Sequence, residues 1–165
     1  MRPRTASSRR IPAELRPSSA DETRRLGEAV GHAAEPGDIV ALIGPLGSGK
    51  TTFAEGMARA IGVRTWRGSP SFPLMQDYGR ETHARVPFLH ADLYRLTDPT
   101  SVHDLGLEDY LRGEYAVAIE WPESAIALLP ADRLTLTFAI DGDARRIRVS
   151  AAGPRGRALA RVLAA

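Results

Sequence analysis

The segment that most limits what this chain can become is Gly44-Pro-Leu-Gly-Ser-Gly-Lys-Thr51, which fits the pattern G-x-x-x-x-G-K-[ST]. Such a loop turns its backbone amides into a concavity for anions, and it does so between a strand and a helix. Both neighbours are legible. Asp38–Ile43 is a short apolar run suited to a buried strand. Thr51–Ile61 puts Phe53, Ala54, Met57 and Ala58 on one helical face before Gly62 ends it. The motif therefore predicts phosphate binding by the amides of Gly47, Ser48, Gly49, Lys50 and Thr51. Lys50 would neutralise the β- and γ-phosphates of a nucleoside triphosphate, and the Thr51 hydroxyl would ligate Mg²⁺.

Composition sharpens the reading of Lys50. Twenty-one of the 22 basic residues are arginine and one is lysine, and that lysine is Lys50. Arginine serves elsewhere, but its planar fork is a poor substitute for a compact ammonium between two phosphates. Cysteine is absent, so disulfides, thiolate nucleophiles and zinc–thiolate sites are excluded. Of the 165 residues, 43% are apolar and 25% charged, as in a soluble globular domain, and the net charge is only +2. No apolar run approaches the roughly 18 residues of a membrane span. The basic start, with Arg2, Arg4, Arg9 and Arg10, is followed by no apolar stretch of leader type, so a cytoplasmic location is expected.

Along the chain, residues 1–17 mix Arg, Ser and Pro without period. They read as a flexible arginine-rich arm with room for a short edge strand near Ala13–Arg16, ahead of one domain over residues 18–165. Ser19-x-x-Glu22 is a capping box, followed by Leu26, Ala29, Val30 and Ala33 at helical spacing. Two more apolar runs end in an acid: Val86–Ala91 before Asp92, and Tyr115–Ile119 before Glu120. They read as parallel strands whose carboxyl ends reach the ligand edge of the sheet. Ser101–Arg112 is partly helical and broken by Gly106. Leu134–Ile140 and Arg145–Ala151 alternate about an Asp141-Gly142 turn, a hairpin, and Gly156–Leu163 suits a last helix. The expected fold is a single three-layer α/β P-loop NTPase domain, its mostly parallel sheet flanked by helices and closed by a C-terminal β-hairpin.

Mg²⁺ takes oxygen ligands, so Thr51 needs a carboxylate from a neighbouring strand. Asp92 and Glu120 both qualify, either as metal ligand or as the group that orients an attacking water, and the sequence does not rank them. His90 shares a strand face with Asp92 and reads equally as a supporting group or a core histidine. Arg95, three residues after Asp92, could pair with phosphate or with a carboxylate, and Arg145 in the hairpin is a weaker candidate for the nucleotide. Ser69-Pro70-Ser71-Phe72 and Tyr78 lie where P-loop proteins often carry a loop that responds to the γ-phosphate.

An ordered set of segments resembles the TsaE family, the small bacterial ATPases of tRNA threonylcarbamoyladenosine biosynthesis. It comprises Gly44-Pro-Leu-Gly-Ser-Gly-Lys-Thr-Thr-Phe53, Ser69-Pro-Ser-Phe-Pro-Leu-Met-Gln-Asp-Tyr78, His90-Ala-Asp-Leu-Tyr-Arg-Leu96, Asp104-Leu-Gly-Leu-Glu-Asp-Tyr110 and Ile119-Glu-Trp-Pro-Glu123. The resemblance runs from about Asp21 to Ser150. It implies slow ATP hydrolysis in service of two partners, TsaB and TsaD, which place a threonylcarbamoyl group on adenosine in tRNA. By position it links Leu46, Gly47, Ser48, Gly49, Lys50, Thr51 and Arg145 to ATP, Thr51 and Glu120 to Mg²⁺, and Asp92 to hydrolysis, with Trp121 beside the metal-site acid. Pro45, Ser48 and Ser71 depart from the Asp, Ala and Thr usual in the family. Contact with tRNA is indirect in this reading, unless the N-terminal arm meets its phosphates.

Three other functions compete for a chain with this loop. A GTPase would need a second lysine and an asparagine or threonine to read guanine, and the chain has one lysine and no asparagine. A small-molecule or nucleoside kinase would need a basic lid, for which the stretch after Glu120 looks short. A non-catalytic ATP-responsive module would have no use for two acids at the strand ends.

Overall fold

The computed structural model describes residues 10–70, 74–81 and 83–164. Its elements, in order, are β1 (Glu14–Leu15), α1 (Ala20–Ala33), β2 (Ile39–Ile43), α2 (Lys50–Ile61), β3 (Met75–Asp77), β4 (Phe88–Asp92), α3 (Pro99–Asp104), α4 (Leu107–Tyr110), β5 (Ala116–Glu120), a 3-10 turn (Pro122–Ala125), β6 (Arg133–Asp141), β7 (Ala144–Ala152) and α5 (Gly153–Arg161). The seven strands form one sheet in the order β1-β7-β6-β2-β5-β4-β3. The central pairs β2–β5, β2–β6 and β4–β5 are parallel. The outer pairs are antiparallel. No helix among the described residues is long and apolar enough to cross a membrane.

Strand alternation divides the core in two. On one face Val40, Leu42, Phe88, Ala116 and Ala118 pack against α1, α2 and α5. On the other, Ile39, Ala41, Leu89, Ala91, Val117 and Ile119 pack against α3, α4 and the 3-10 turn. Strands covered on both sides must be apolar throughout, which is why these read as continuous runs rather than alternating ones. The same alternation carries His90, Asp92 and Glu120 onto the α2 face at the carboxyl edge, where the 44–51 loop leaves β2.

Helix α1 begins as its sequence suggests, with the Ser19 side chain accepting from Glu22 N at 3.1 Å. Glu22 reaches back one residue further than a capping box requires, to Ser18 N at 2.7 Å. The inward face differs in emphasis from the apolar spacing. The fully buried positions are Thr23, Gly27, Val30 and Gly31. A methyl on Gly27 would collide with the Phe53 carbonyl, and one on Gly56 with the Arg24 carbonyl. The glycines let the two backbones touch, and this contact brings Thr23 to within 3.4 Å of where a side chain at Gly49 would start. Overpacking typically costs about 1–3 kcal/mol. Gly56→Ala is expected to lose at least that much, read as a lower urea midpoint with an unchanged slope.

The described part of the arm is tied to the sheet. Glu14 and Leu15 pair with Arg148 and Ile147, and Pro17 O accepts from Arg145 N at 2.9 Å. The edge strand thus lies where the sequence leaves room for it, while residues 1–9 lie outside the described residues, as do Ser71 and Phe72. The hairpin turn is displaced by one residue from Asp141-Gly142. Asp141 still pairs with Ala144, so the loop is Gly142-Asp143, and Gly142 takes the positive φ of 59° that a two-residue loop needs at its first position. Because β6 runs parallel to β2, this turn arrives at the same edge as the glycine-rich loop.

Candidate functional site

The loop from Gly44 to Gly49 wraps the start of α2. Gly49 stands at the helix N-cap with φ 104°, and no side chain caps the helix. The first-turn amides therefore have no partner within the helix and face the cleft, with the positive end of the helix behind them. Lys50 is buried, and its ammonium donates to the carbonyls of Gly44 (2.7 Å) and Pro45 (2.8 Å). Pro45 lacks an amide proton, but the loop uses its carbonyl, so this departure from the family pattern keeps a function. Burial pushes the Lys50 pKa below the ordinary lysine value, and Glu120, Asp92 and Glu123 pull it back up.

Beneath the ammonium lies Trp121, its ring centroid 4.4 Å from Lys50 Nζ. Trp121 has φ 54° and ψ 56° and is the one non-glycine residue at positive φ among those described. A bulky side chain in this region costs about 1–3 kcal/mol and persists only where the surroundings hold it. Here Trp121 N still donates to Leu42 O (3.2 Å), extending the β2–β5 ladder, and Tyr94 packs on the ring at 4.9 Å. The strained turn lays an aromatic face under a cation, an arrangement that attracts by the ring quadrupole.

The two acids separate in three dimensions. Glu120 is buried, and its carboxylate accepts from the Thr51 hydroxyl, at 2.8 Å to Oε1 and 3.1 Å to Oε2. His90 Nε2 lies 2.8 Å from the same Oε1. With Glu120 as a carboxylate, which only accepts, Nε2 is the donor of this contact. Asp92 sits opposite Glu120 in the β4–β5 register. It is held instead by Ser69 Oγ on Oδ2 (2.6 Å) and by Tyr94 N on Oδ1 (3.0 Å). Thr51 thus meets Glu120, while Asp92 stands beside the Ser69-Pro70 loop. Arg145 reaches across from the hairpin, donating to Gly47 O at 3.1 Å. Leu46 projects from the loop tip, 64% exposed, whereas Ser48 is buried. Arg95 is exposed and does not line the main cleft; it lines a smaller neighbouring hollow that shares Ser69 and Asp92 with it.

The cleft enclosed by these groups has a volume of about 370 Å³. Its outer wall has members that pattern reading did not identify: Ser19, Ala20 and Thr23 from the first turn of α1, and Asp143 from the hairpin turn. No motif marks them; the glycine contact of α1 with α2 and the parallel course of β6 bring them there.

The family model for threonylcarbamoyl adenosine biosynthesis protein TsaE matches residues 17–147. The chain belongs to the TsaE family. It is 35% identical over 136 residues to the tRNA threonylcarbamoyladenosine biosynthesis protein TsaE of Bacillus subtilis, with 82% of this chain and 83% of that one aligned. To the protein of the same description from Treponema pallidum it is 34% identical over 128 residues, covering 78% of this chain and 92% of that one. A crystal structure of Bacillus subtilis YdiB superposes with a TM-score of 0.73 at 31% identity, covering 91% of this chain and 92% of the other. The TsaE match therefore holds in both sequence and fold, over nearly the whole described chain.

Proposed function

We propose that this TsaE-family chain is an Mg²⁺-dependent ATPase that serves N6-threonylcarbamoyladenosine formation on tRNA by acting on a complex of TsaB- and TsaD-like proteins in the cytoplasm. The observation that carries the ATPase half is the Thr51–Glu120 contact at the mouth of the P-loop. The tRNA half rests on family membership.

The donor set suits Mg²⁺. Thr51 donates its hydroxyl hydrogen bond to Glu120, which leaves its oxygen lone pairs free, and Glu120 offers a second hard oxygen. No group of three metal-binding side chains exists among the described residues. That fits a cation held by one or two protein oxygens together with phosphates rather than by a protein cage. When bound there, Mg²⁺ would neutralise charge developing on phosphate oxygens. The amides of Gly47–Thr51 and the Lys50 ammonium would hold the phosphates, and Arg145 would close the loop from outside. Asp92, steadied by Ser69, would orient an attacking water.

The kinase alternative gains no support. Between Glu120 and β6 the chain runs through a 3-10 turn of four residues, with no lid helix. The deciding test is reconstitution of threonylcarbamoyl transfer with the two partners and tRNA, with this protein, without it, and with Lys50→Ala. Repeated turnover is expected only with the unaltered chain. Equal turnover in all three mixtures rejects the proposal, and stoichiometric phosphorylation of a small molecule would establish a kinase instead.

A further inference from the structure

Glu120 owes its orientation to more than Thr51. His90 is fully buried, and its Nε2 proton is spent on Glu120 Oε1. Its Nδ1 has no hydrogen-bond partner among the described residues. A histidine kept only to fill the core would be replaceable by an apolar ring without leaving a buried lone pair unmet. The ring is instead clamped. Trp66 stacks on it at 4.8 Å with 28° between planes. Trp66 also stacks on Tyr78 at 5.9 Å, and Tyr78 on Phe88 at 6.2 Å. Tyr78 is fixed in turn, donating to Gln76 (2.6 Å) and accepting from Arg67 N (3.2 Å). The segment that carries Trp66 also carries Ser69, which holds Asp92. One loop therefore steadies both acids at the sheet edge, Asp92 directly and Glu120 through a histidine.

We infer that Trp66 and His90 are positioning residues for the Glu120 carboxylate, Trp66 locking the imidazole and the imidazole pinning the oxygen that Thr51 shares. With Oε1 held by two donors, rotation of the carboxylate is suppressed and Oε2 is the oxygen left for a ligand in the cleft. This rests on the reading of Thr51 and Glu120 as the Mg²⁺-binding pair. Partners of this kind typically matter by about 10–100-fold in metal affinity.

The experiment has two arms. In the first, ATP hydrolysis is titrated with Mg²⁺ for the wild type, His90→Ala, His90→Gln, Trp66→Ala and Trp66→Phe. The Mg²⁺ concentration for half-maximal rate should rise at least about tenfold in His90→Ala, with the KM for ATP within about twofold of wild type. Gln at this position retains an N–H donor and should restore most of the loss. Trp66→Phe should resemble wild type and Trp66→Ala should not. In the second arm, ¹⁵N NMR of the metal-free protein reads the His90 ring nitrogens. A single Nε2–H form is expected in the wild type and Trp66→Phe, and an averaged pattern in Trp66→Ala. An unchanged Mg²⁺ requirement in His90→Ala, or an Nδ1–H or averaged ring in the wild type, overturns the inference. Should the wild type show no Mg²⁺-dependent hydrolysis, the ATPase reading falls, and the ring-nitrogen pattern still decides whether the clamp exists. If His90→Ala does not fold, Trp66→Ala and the spectrum decide.

Discussion

Glu120→Gln is expected to lower ATP hydrolysis at least about a hundredfold, or about 2.7 kcal/mol of transition-state stabilisation, while leaving metal-free nucleotide binding nearly intact. The substitution keeps the shape of the side chain and removes its charge. Thr51 then loses the carboxylate that accepts its hydrogen bond at 2.8 Å. His90 Nε2–H must share the one remaining carbonyl oxygen or face an amide nitrogen. The phosphate-facing parts are separate: the α2 first-turn amides and Lys50 do not depend on the acid for their position, since Lys50 is held by Gly44 O and Pro45 O. Binding of a fluorescent ATP analogue in EDTA should therefore change little, while its enhancement by Mg²⁺ should disappear. Asp92→Asn tests the division of labour between the acids. It is expected to reduce the rate without shifting the Mg²⁺ requirement, because Asp92 is engaged by Ser69 and Tyr94 N rather than by Thr51. A shift in the Mg²⁺ requirement equal to that of Glu120→Gln would show that both acids hold the metal.

Much of this arrangement is legible from residue order because the P-loop ties a pattern to one local geometry, and because a buried parallel strand followed by an acid places that acid at the ligand edge. Alternation along β4 and β5 also puts His90, Asp92 and Glu120 on one face. What residue order does not show is which contact each makes. Nothing in Val86–Asp92 says that Ser69 will take Asp92 and leave Glu120 to Thr51. Strand β3 escapes notice because Met75–Asp77 is too short to display a period. The packing of α1 is only partly legible: Leu26, Val30 and Ala33 do meet the core, but spacing rules weigh apolar side chains, whereas the closest approach to α2 is set by Gly27, Gly31 and Gly56, whose value is the absence of one. Trp121 is the extreme case. A tryptophan before a proline predicts extended backbone, yet it adopts left-handed geometry, held by the ladder bond to Leu42, the Lys50 ammonium above its ring and the packing of Tyr94.

Lys50→Arg should be nearly as damaging as Lys50→Ala, each lowering hydrolysis by about a hundredfold or more, the scale expected when a preorganised donor to the transition state is lost. In a chain with 21 arginines the substitution looks mild, and it keeps the charge. The geometry argues otherwise. The ammonium is a point donor that bonds Gly44 O at 2.7 Å and Pro45 O at 2.8 Å. One N–H remains for a phosphate, and the ring of Trp121 lies 4.4 Å away. A guanidinium is broader, donates in a plane, and would have to displace either the Pro45 carbonyl or the Trp121 ring to occupy the same space. Displacing the ring pushes on the strained turn directly after Glu120, so the arginine variant is expected to raise the Mg²⁺ requirement as well as weaken phosphate binding, whereas Lys50→Ala removes the cation from above the ring without pushing the ring aside. Comparing the two variants for rate, ATP binding and Mg²⁺ dependence separates loss of charge from loss of fit. Recovery of more than about a tenth of the wild-type rate by the arginine variant would show that charge alone suffices, and that the solitary lysine of this chain is not there for its shape.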